Sequence, residues 1–454
     1  MGTDRFKIAH RAHEGYNLVS FMIRRSYVWA VWCSALVGLP LASFSADLKL
    51  TRFDTNGTLF WTNALVPGVC TVEKADILGG PWLPARNAFS TNSGGKLTLP
   101  REGPAGFFRV KSVGVPATPE GFMNLVYSYG LLETIAGTGV GQTDGVSYWQ
   151  PSFEGGPGSF AALSRPHFAQ ADRAGNIYIA DKNSHAILRV APDGTIHTFA
   201  GTHVGGFNGE GPAEATELQL NLPNGEYVRA DGTVYVLDTE NGRVRRVNTN
   251  GIMQTLFLAT SDGSSLAGGR GLWVNPTESL AYFCAGTRLR KWTPSSGLLT
   301  ISSGFIELGP LYTESSGNIL VCDRGANLVY RITPAGVRTI IAGNGLTTGG
   351  GDGFPALETG LDGVRSIWPV PTGGLLLLTH NACQLWYMDT AGIVHLMLNG
   401  ARGNTHSGDG QFFYTPWPAI SEGRSVTMDY EGNILVTESD WGFVRRIRFL
   451  PWTF

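Results

Sequence analysis

Charge is scarce in this chain. Only 15% of its 454 residues are Asp, Glu, Lys or Arg, against about 25% in an average soluble domain. With 34 basic and 36 acidic side chains the formal net charge is −2, so the basic footprint of a nucleic-acid binder is missing. Cysteine is also sparse, at five. No Cys-x-x-Cys spacing and no neighbouring histidine points to a zinc site. Cys70, Cys284, Cys322 and Cys383 read as small buried strand residues. No local pattern supplies a nucleophile with its base, so no catalytic residue, metal ligand or cofactor is assigned.

The apolar run from Tyr27 to Ala42 falls short of the ~20 residues that cross a bilayer as a helix. It follows Arg24 and Arg25 and precedes Ser43 and Ser45, small residues at −3 and −1 of a cleavage before Ala46. That is the layout of a secretory leader. The expectation is a start at Met22, a removed segment 1–45, and a secreted, periplasmic or cell-surface product with no membrane span. Removal of 1–45 takes five basic and two acidic residues and leaves a net charge of −5.

Glycine is what the chain has in excess, 61 of 454 residues. It recurs in register. The segment from His167 to Gly201 lies on later segments without gaps at shifts of 57, 103, 142 and 198 residues, and on the C-terminal segment at 257. Gly194 then meets Gly251, Gly297, Gly336 and Gly392, and Gly175 meets Gly232, Glu278, Gly317, Gly373 and Gly432. Repeats of this kind decide the fold before anything else does. Each unit reads as four short strands: Phe168–Ala171, Ile177–Ala180, Ala186–Val190 and Thr195–Ala200, parted by turns such as Pro192-Asp193-Gly194. Four antiparallel strands per repeat make a propeller blade. The sixth copy stops after three strands, and an orphan strand at 133–137 precedes the first copy. The orphan strand is expected to complete the last blade and remove its open edge.

The predicted fold class is therefore all-β: a six-bladed β-propeller over 131–454, preceded by a small β domain over 46–113 and a linker over 114–130. The run GNIYIAD…ILRVAPDGTIHTFAG, with its loop GFNGEGPAEATELQLNLPNG, resembles the NHL-repeat propellers of secreted bacterial type. Asp352 and Asp409 lie in Gly-Asp-Gly loops similar to those that precede blades in such proteins. The resemblance implies either a binding and interaction module or, as the alternative, a metal-dependent lyase or lactone hydrolase.

The same register names candidate ligand-binding residues. At the start of each innermost strand it gives His167, Asn224, Arg270, Gly309, Arg365 and Arg424. Like charges around one axis repel unless an anion or carboxylate joins them, and an arginine fork suits a carboxylate, phosphate or sulfate. One expectation is a mouth that accepts an anionic carbohydrate or a protein. The other is that Glu226, Glu307 or Asp362 pairs with the arginines and locks the blades. A second column, Asp181, Asp238, Cys284, Asp323, Thr379 and Glu438, reads as caps on the turns that follow, or as partners of the Arg189 column. Tyr148, Trp149, Phe412, Phe413, Tyr414 and Trp417 read as blade packing or as exposed stacking platforms.

Overall fold

The computed structural model describes residues 48–77, 79–99, 106–140, 143–403 and 406–451, and before them the backbone of short strands between Ile8 and Cys33. The expected cleavage site at Ser45 and most of the leader lie outside the described residues. The chain forms two compact units. One is 1–131 with 371–373 and 448–454, and the other is 132–370 with 374–447.

In the first unit, Thr58–Thr62 pairs antiparallel with Lys49–Phe53 and with Gly95–Thr98. A second set places Gly68–Ala75 between Gly106–Gly114 and Leu83–Ser90, again antiparallel. Alternation puts Leu59, Trp61, Cys70, Val72, Phe108 and Val110 into one apolar core. Two expectations fail here. The stretch 114–130 is not a bare linker, because Pro119–Val126 is an α-helix. Its prolines misled the reading: Pro119 occupies the first helical position, where a missing N–H costs nothing, and Thr118 Oγ1 accepts from Gly121 N at 3.1 Å. The tail from Arg448 also belongs to this unit. Phe449 is buried and stacks on Phe89 at 4.2 Å and against Tyr129 at 4.9 Å.

The second unit consists of antiparallel sheets laid down in chain order. The first is Pro166–Ala171, Ile177–Asp181, Ala186–Val190 and Ile196–Ala200. The next four open with Pro223–Val228, Leu272–Val274, Leu308–Thr313 and Val364–Pro369. The last holds Gly423–Met428, Ile434–Glu438 and Phe443–Ile447, and its fourth strand is Leu131–Ala136. That strand aligns Leu132 with Ile447, Glu133 with Arg446 and Thr134 with Arg445, and Arg446 Nε donates to Glu133 at 2.6 Å.

The first strand of each sheet packs on that of the next, and the last packs on the first. Val228 N donates to Gln170 Oε1 at 2.9 Å, and Thr427 Oγ1 donates to the Ala169 carbonyl at 2.7 Å, tying neighbouring first strands together. The apolar cores lie between sheets. Leu435 and Val444 of the last sheet pack with Ile177, Ile179 and Leu188 of the first. A ring of radial sheets with apolar faces between them is a β-propeller.

Candidate functional site

A backbone irregularity shapes the mouth of this ring. In five first strands the pairing slips by one residue near the start, between Pro166 and Phe168, Pro223 and Gly225, Leu308 and Leu311, Val364 and Ser366, and Gly423 and Ser425. The residues left over are His167, Asn224, Arg365 and Arg424, and in the strand from Leu308 the pair Gly309 and Pro310. A bulge frees a residue from the ladder and re-aims its side chain. Arg270 takes the same place in the connection just before Leu272–Val274. Together these five line one cavity of about 340 Å³, with Asp144, Arg165, Lys182, Thr239, Glu240, Glu307, Arg324 and His380 among the other wall residues. The structure thus brings all five sequence-predicted side chains together.

Carboxylates share the arginines but do not match them. Glu307 lies 3.1 Å from Arg270, 2.5 Å from Arg324 and 3.2 Å from Arg365. Asp440 lies 2.8 Å from Arg424 and 3.0 Å from Arg165. Asp144 takes Arg165 at 2.9 Å and Lys182 at 3.4 Å. Six cations (Arg165, Lys182, Arg270, Arg324, Arg365, Arg424) face four acids (Asp144, Glu240, Glu307, Asp440), a formal excess of +2. Of the three acids expected to lock the arginines, only Glu307 does so. Glu226 is buried on its strand, with neither carboxylate oxygen hydrogen-bonded to another group, and burial holds its pKa well above the usual range. Asp362 accepts instead from Asn381 Nδ2 at 3.0 Å.

Burial and neighbouring charge both act on these groups. Burial would raise Glu307, but Arg365, Arg270 and Arg324 outweigh it and bring its pKa down. Burial, opposed by Glu307, pushes Arg270 down to about 10. Burial, then Arg424 and Arg270, depresses Arg365 well below its normal value. Arginine holds its proton in proteins, so these depressions register first the cost of burying the guanidiniums and second, at Arg365, the neighbouring cations. His167 and His380 stay neutral beside these charges. Burial first, then Arg424 and Arg270, keeps His167 far below its usual value, and burial with Arg365 takes His380 down to about 2.

Sequence reasoning missed Arg165, Lys182, Glu307's central place, Arg324, His380 and Asp440. Two neighbouring columns of the same repeat hold most of them. At the chain's own shifts, 165 meets Gly268 and Glu307, and 182 meets Thr239, Arg324 and His380. Asp440 lies in the turn Ser439–Trp441, the counterpart of Lys182–Ser184 and Arg324–Ala326, in a column that also holds Glu240.

The acid column does cap, but in the other direction. Asp181 accepts from Ser164 N at 2.7 Å, Asp238 from Asn221 N at 2.8 Å, Asp323 from Glu307 N at 2.9 Å and Glu438 from Ser421 N at 2.8 Å. Each therefore pins the connection leading into its sheet, and Asp238 also accepts from Asn241 Nδ2 in the turn that follows, at 2.9 Å. Arg246, Arg331 and Arg446 of the Arg189 column pair elsewhere, with Glu278, Glu314 and Glu133. Of the loop aromatics, Phe413 is buried and Trp149 stacks on His203 at 4.9 Å, while Trp417 is 72% exposed.

A divalent cation does not suit this mouth. Its wall carries more cations than acids, and among the described residues no group of three His, Cys, Asp or Glu side chains is placed to hold a metal ion.

No protein-family model matches the chain, and no curated relative matches it. Its likeness is to solved structures. A protein of unknown function from Bacteroides thetaiotaomicron VPI-5482 is 13% identical with a TM-score of 0.55, over 88% of this chain and 97% of that one. An auxiliary nutrient binding protein from the same strain is 13% identical with a TM-score of 0.51, over 86% and 93%. Another from Bacteroides ovatus ATCC 8483 is 12% identical, also at 0.51, over 86% and 93%. The fold shared with these structures is the β-propeller. At this level of identity the likeness carries fold and not activity.

Proposed function

We propose that the protein is a binding module that takes a small anionic ligand, such as an acidic sugar or the acidic end of a glycan, into the mouth of a six-bladed propeller of NHL type. The observation that carries this reading is the excess of +2 around a half-open cavity, in a chain whose overall charge is −2. Buried like charges persist only where something offsets them, and an incoming anion does so. The volume suits a ligand of about one sugar ring and is too small for a protein surface. The first unit reads as a separate β domain. The apolar run behind Arg24 and Arg25 supports an exported protein, and the likeness to two nutrient binding proteins supports a ligand carrier.

The test is an array of acidic and neutral glycans probed with the purified chain and with a Lys182→Gln, Arg324→Gln double variant. These two side chains are partly exposed and tolerate change best. The expected result is selective retention of acidic glycans, weakened about tenfold or more by the variant. Retention of neutral glycans alone, or equal binding by both proteins, rejects the reading.

A further inference from the structure

His167 brings a second kind of chemistry to the mouth. Its ring is buried, at 5% exposure, and lines the cavity. Nδ1 is hydrogen-bonded to Asn224 Oδ1. Asn224 cannot be turned around, because its Nδ2 donates to the Gly269 carbonyl at 2.8 Å. Its oxygen therefore faces the ring, an oxygen only accepts, and the ring proton must sit on Nδ1. That leaves Nε2 as a bare lone pair. It is buried and has no hydrogen-bond partner. Burial and the surrounding cations keep it from taking a proton of its own.

On the opposite account stand donors. Arg365 is 1% exposed, its Nη2 is used by Glu307 at 3.2 Å, and its Nη1 and Nε have no hydrogen-bond partner. Arg424 gives Nη2 to Asp440, and its Nε likewise has none. A buried acceptor and buried donors, all left open in one small cavity, are costly unless a ligand completes them. An anion alone satisfies the guanidiniums and leaves Nε2 empty. A neutral alcohol satisfies Nε2 and leaves the charge.

Resting on the anion-accepting mouth, we infer that the ligand is a hydroxylated carboxylate of one ring's size, its carboxylate among Arg365, Arg424 and Arg270 and one hydroxyl donating to His167 Nε2. His167 then sets specificity and Asn224 is its positioning residue, holding the tautomer that accepts.

The experiment is calorimetric titration of the full chain, at neutral pH and low salt, with two acids of similar size: galacturonate, which carries ring hydroxyls, and cyclohexanecarboxylate, which carries none. The wild-type protein should prefer galacturonate by about tenfold or more, the effect of satisfying one buried acceptor. In His167→Phe, which keeps a flat ring but accepts nothing, the two acids should bind alike. In Asn224→Ala, which leaves Nδ1–H unheld, the preference should shrink. Equal affinities in the wild type, or a preference that persists in His167→Phe, overturn the hydroxyl assignment and leave the anion mouth standing. Failure of both acids to bind overturns the two together. The wild-type comparison stands even if a variant does not fold.

Discussion

Replacing Glu307 by glutamine isolates the charge that holds the mouth together. Glutamine keeps the shape and one acceptor oxygen but removes the carboxylate's charge. That carboxylate lies 3.1 Å from Arg270, 2.5 Å from Arg324 and 3.2 Å from Arg365, whose side chains are 15%, 27% and 1% exposed. Water screens Arg324 and hardly reaches Arg365. Neutralising one partner of a buried ion pair costs about 3–5 kcal/mol. Glu307 itself keeps 29% of its exposure, which moves the expectation to about 2–3 kcal/mol. The excess in the mouth would rise from +2 to +3, so dissolved anions should repair part of the loss. Urea unfolding at neutral pH and low salt is the assay, and the midpoint should fall with the slope unchanged. Citrate should then restore more stability to the variant than to the wild type. A loss below about 0.5 kcal/mol, or equal gains from citrate, would refute the argument that unbalanced charge shapes this site.

Gly201 and Gly194 separate two reasons for glycine. Both have positive φ, 94° and 88°, but an added Cβ at Gly201 would collide with the His185 carbonyl oxygen while at Gly194 it meets nothing. Alanine should cost about 2–4 kcal/mol at Gly201 and about 1 kcal/mol at Gly194, read by urea unfolding; equal costs would contradict the packing argument. Leu132, fully buried in the closing strand, should cost about 2–5 kcal/mol as alanine. Amide exchange should speed up first in Phe443–Ile447, its partner strand, and a uniform change across all sheets would speak against closure there. Acid should weaken the fold early. Burial lowers His203 to about 4, and burial with Arg365 lowers His380 to about 2, from a usual 6.5. The unfolded chain then binds more protons, so this stability is complete above pH about 6.5 and is lost as pH falls, toward about 4 for His203 and about 2 for His380. Unfolding free energy should drop across that window, and less in His203→Asn; a flat profile would count against both assignments.

The repeat made the sheets and the closing strand legible, because turn chemistry and strand alternation recur at fixed offsets. Gly194, Gly251, Gly297, Gly336 and Gly392 do share a positive φ. A second left-handed position went unread because no single residue type marks it. At all of the same shifts but 103 it is His185, Gly242, Asn327, Cys383 and Gly442, each with positive φ. There the ring's packing sets the backbone and the side chain follows. The first column of the mouth was visible for a related reason, since a bulge recurring in five sheets aims whatever residue it holds. The acids were only partly visible. Glu307 was named, but Glu240 and Asp440, which share the column of Asn183 in the turn after the second strand, were not. Asp144 lies before the first copy of the repeat, and only the assembled ring shows which cations these acids meet.

The strand that completes the last sheet has a consequence for how the molecule is made. Glu133 and its partner Arg446 are separated by 313 residues. Synthesis at roughly 5–20 residues per second puts on the order of 15–60 s between the appearance of the two. Throughout that interval the early strand has an unmatched edge, and the remaining sheets stack without a seal. Final clasping is then a long-range event, slow in proportion to the sequence distance it must bridge. A nascent chain delayed near its end is therefore the form most prone to pair with a stranger.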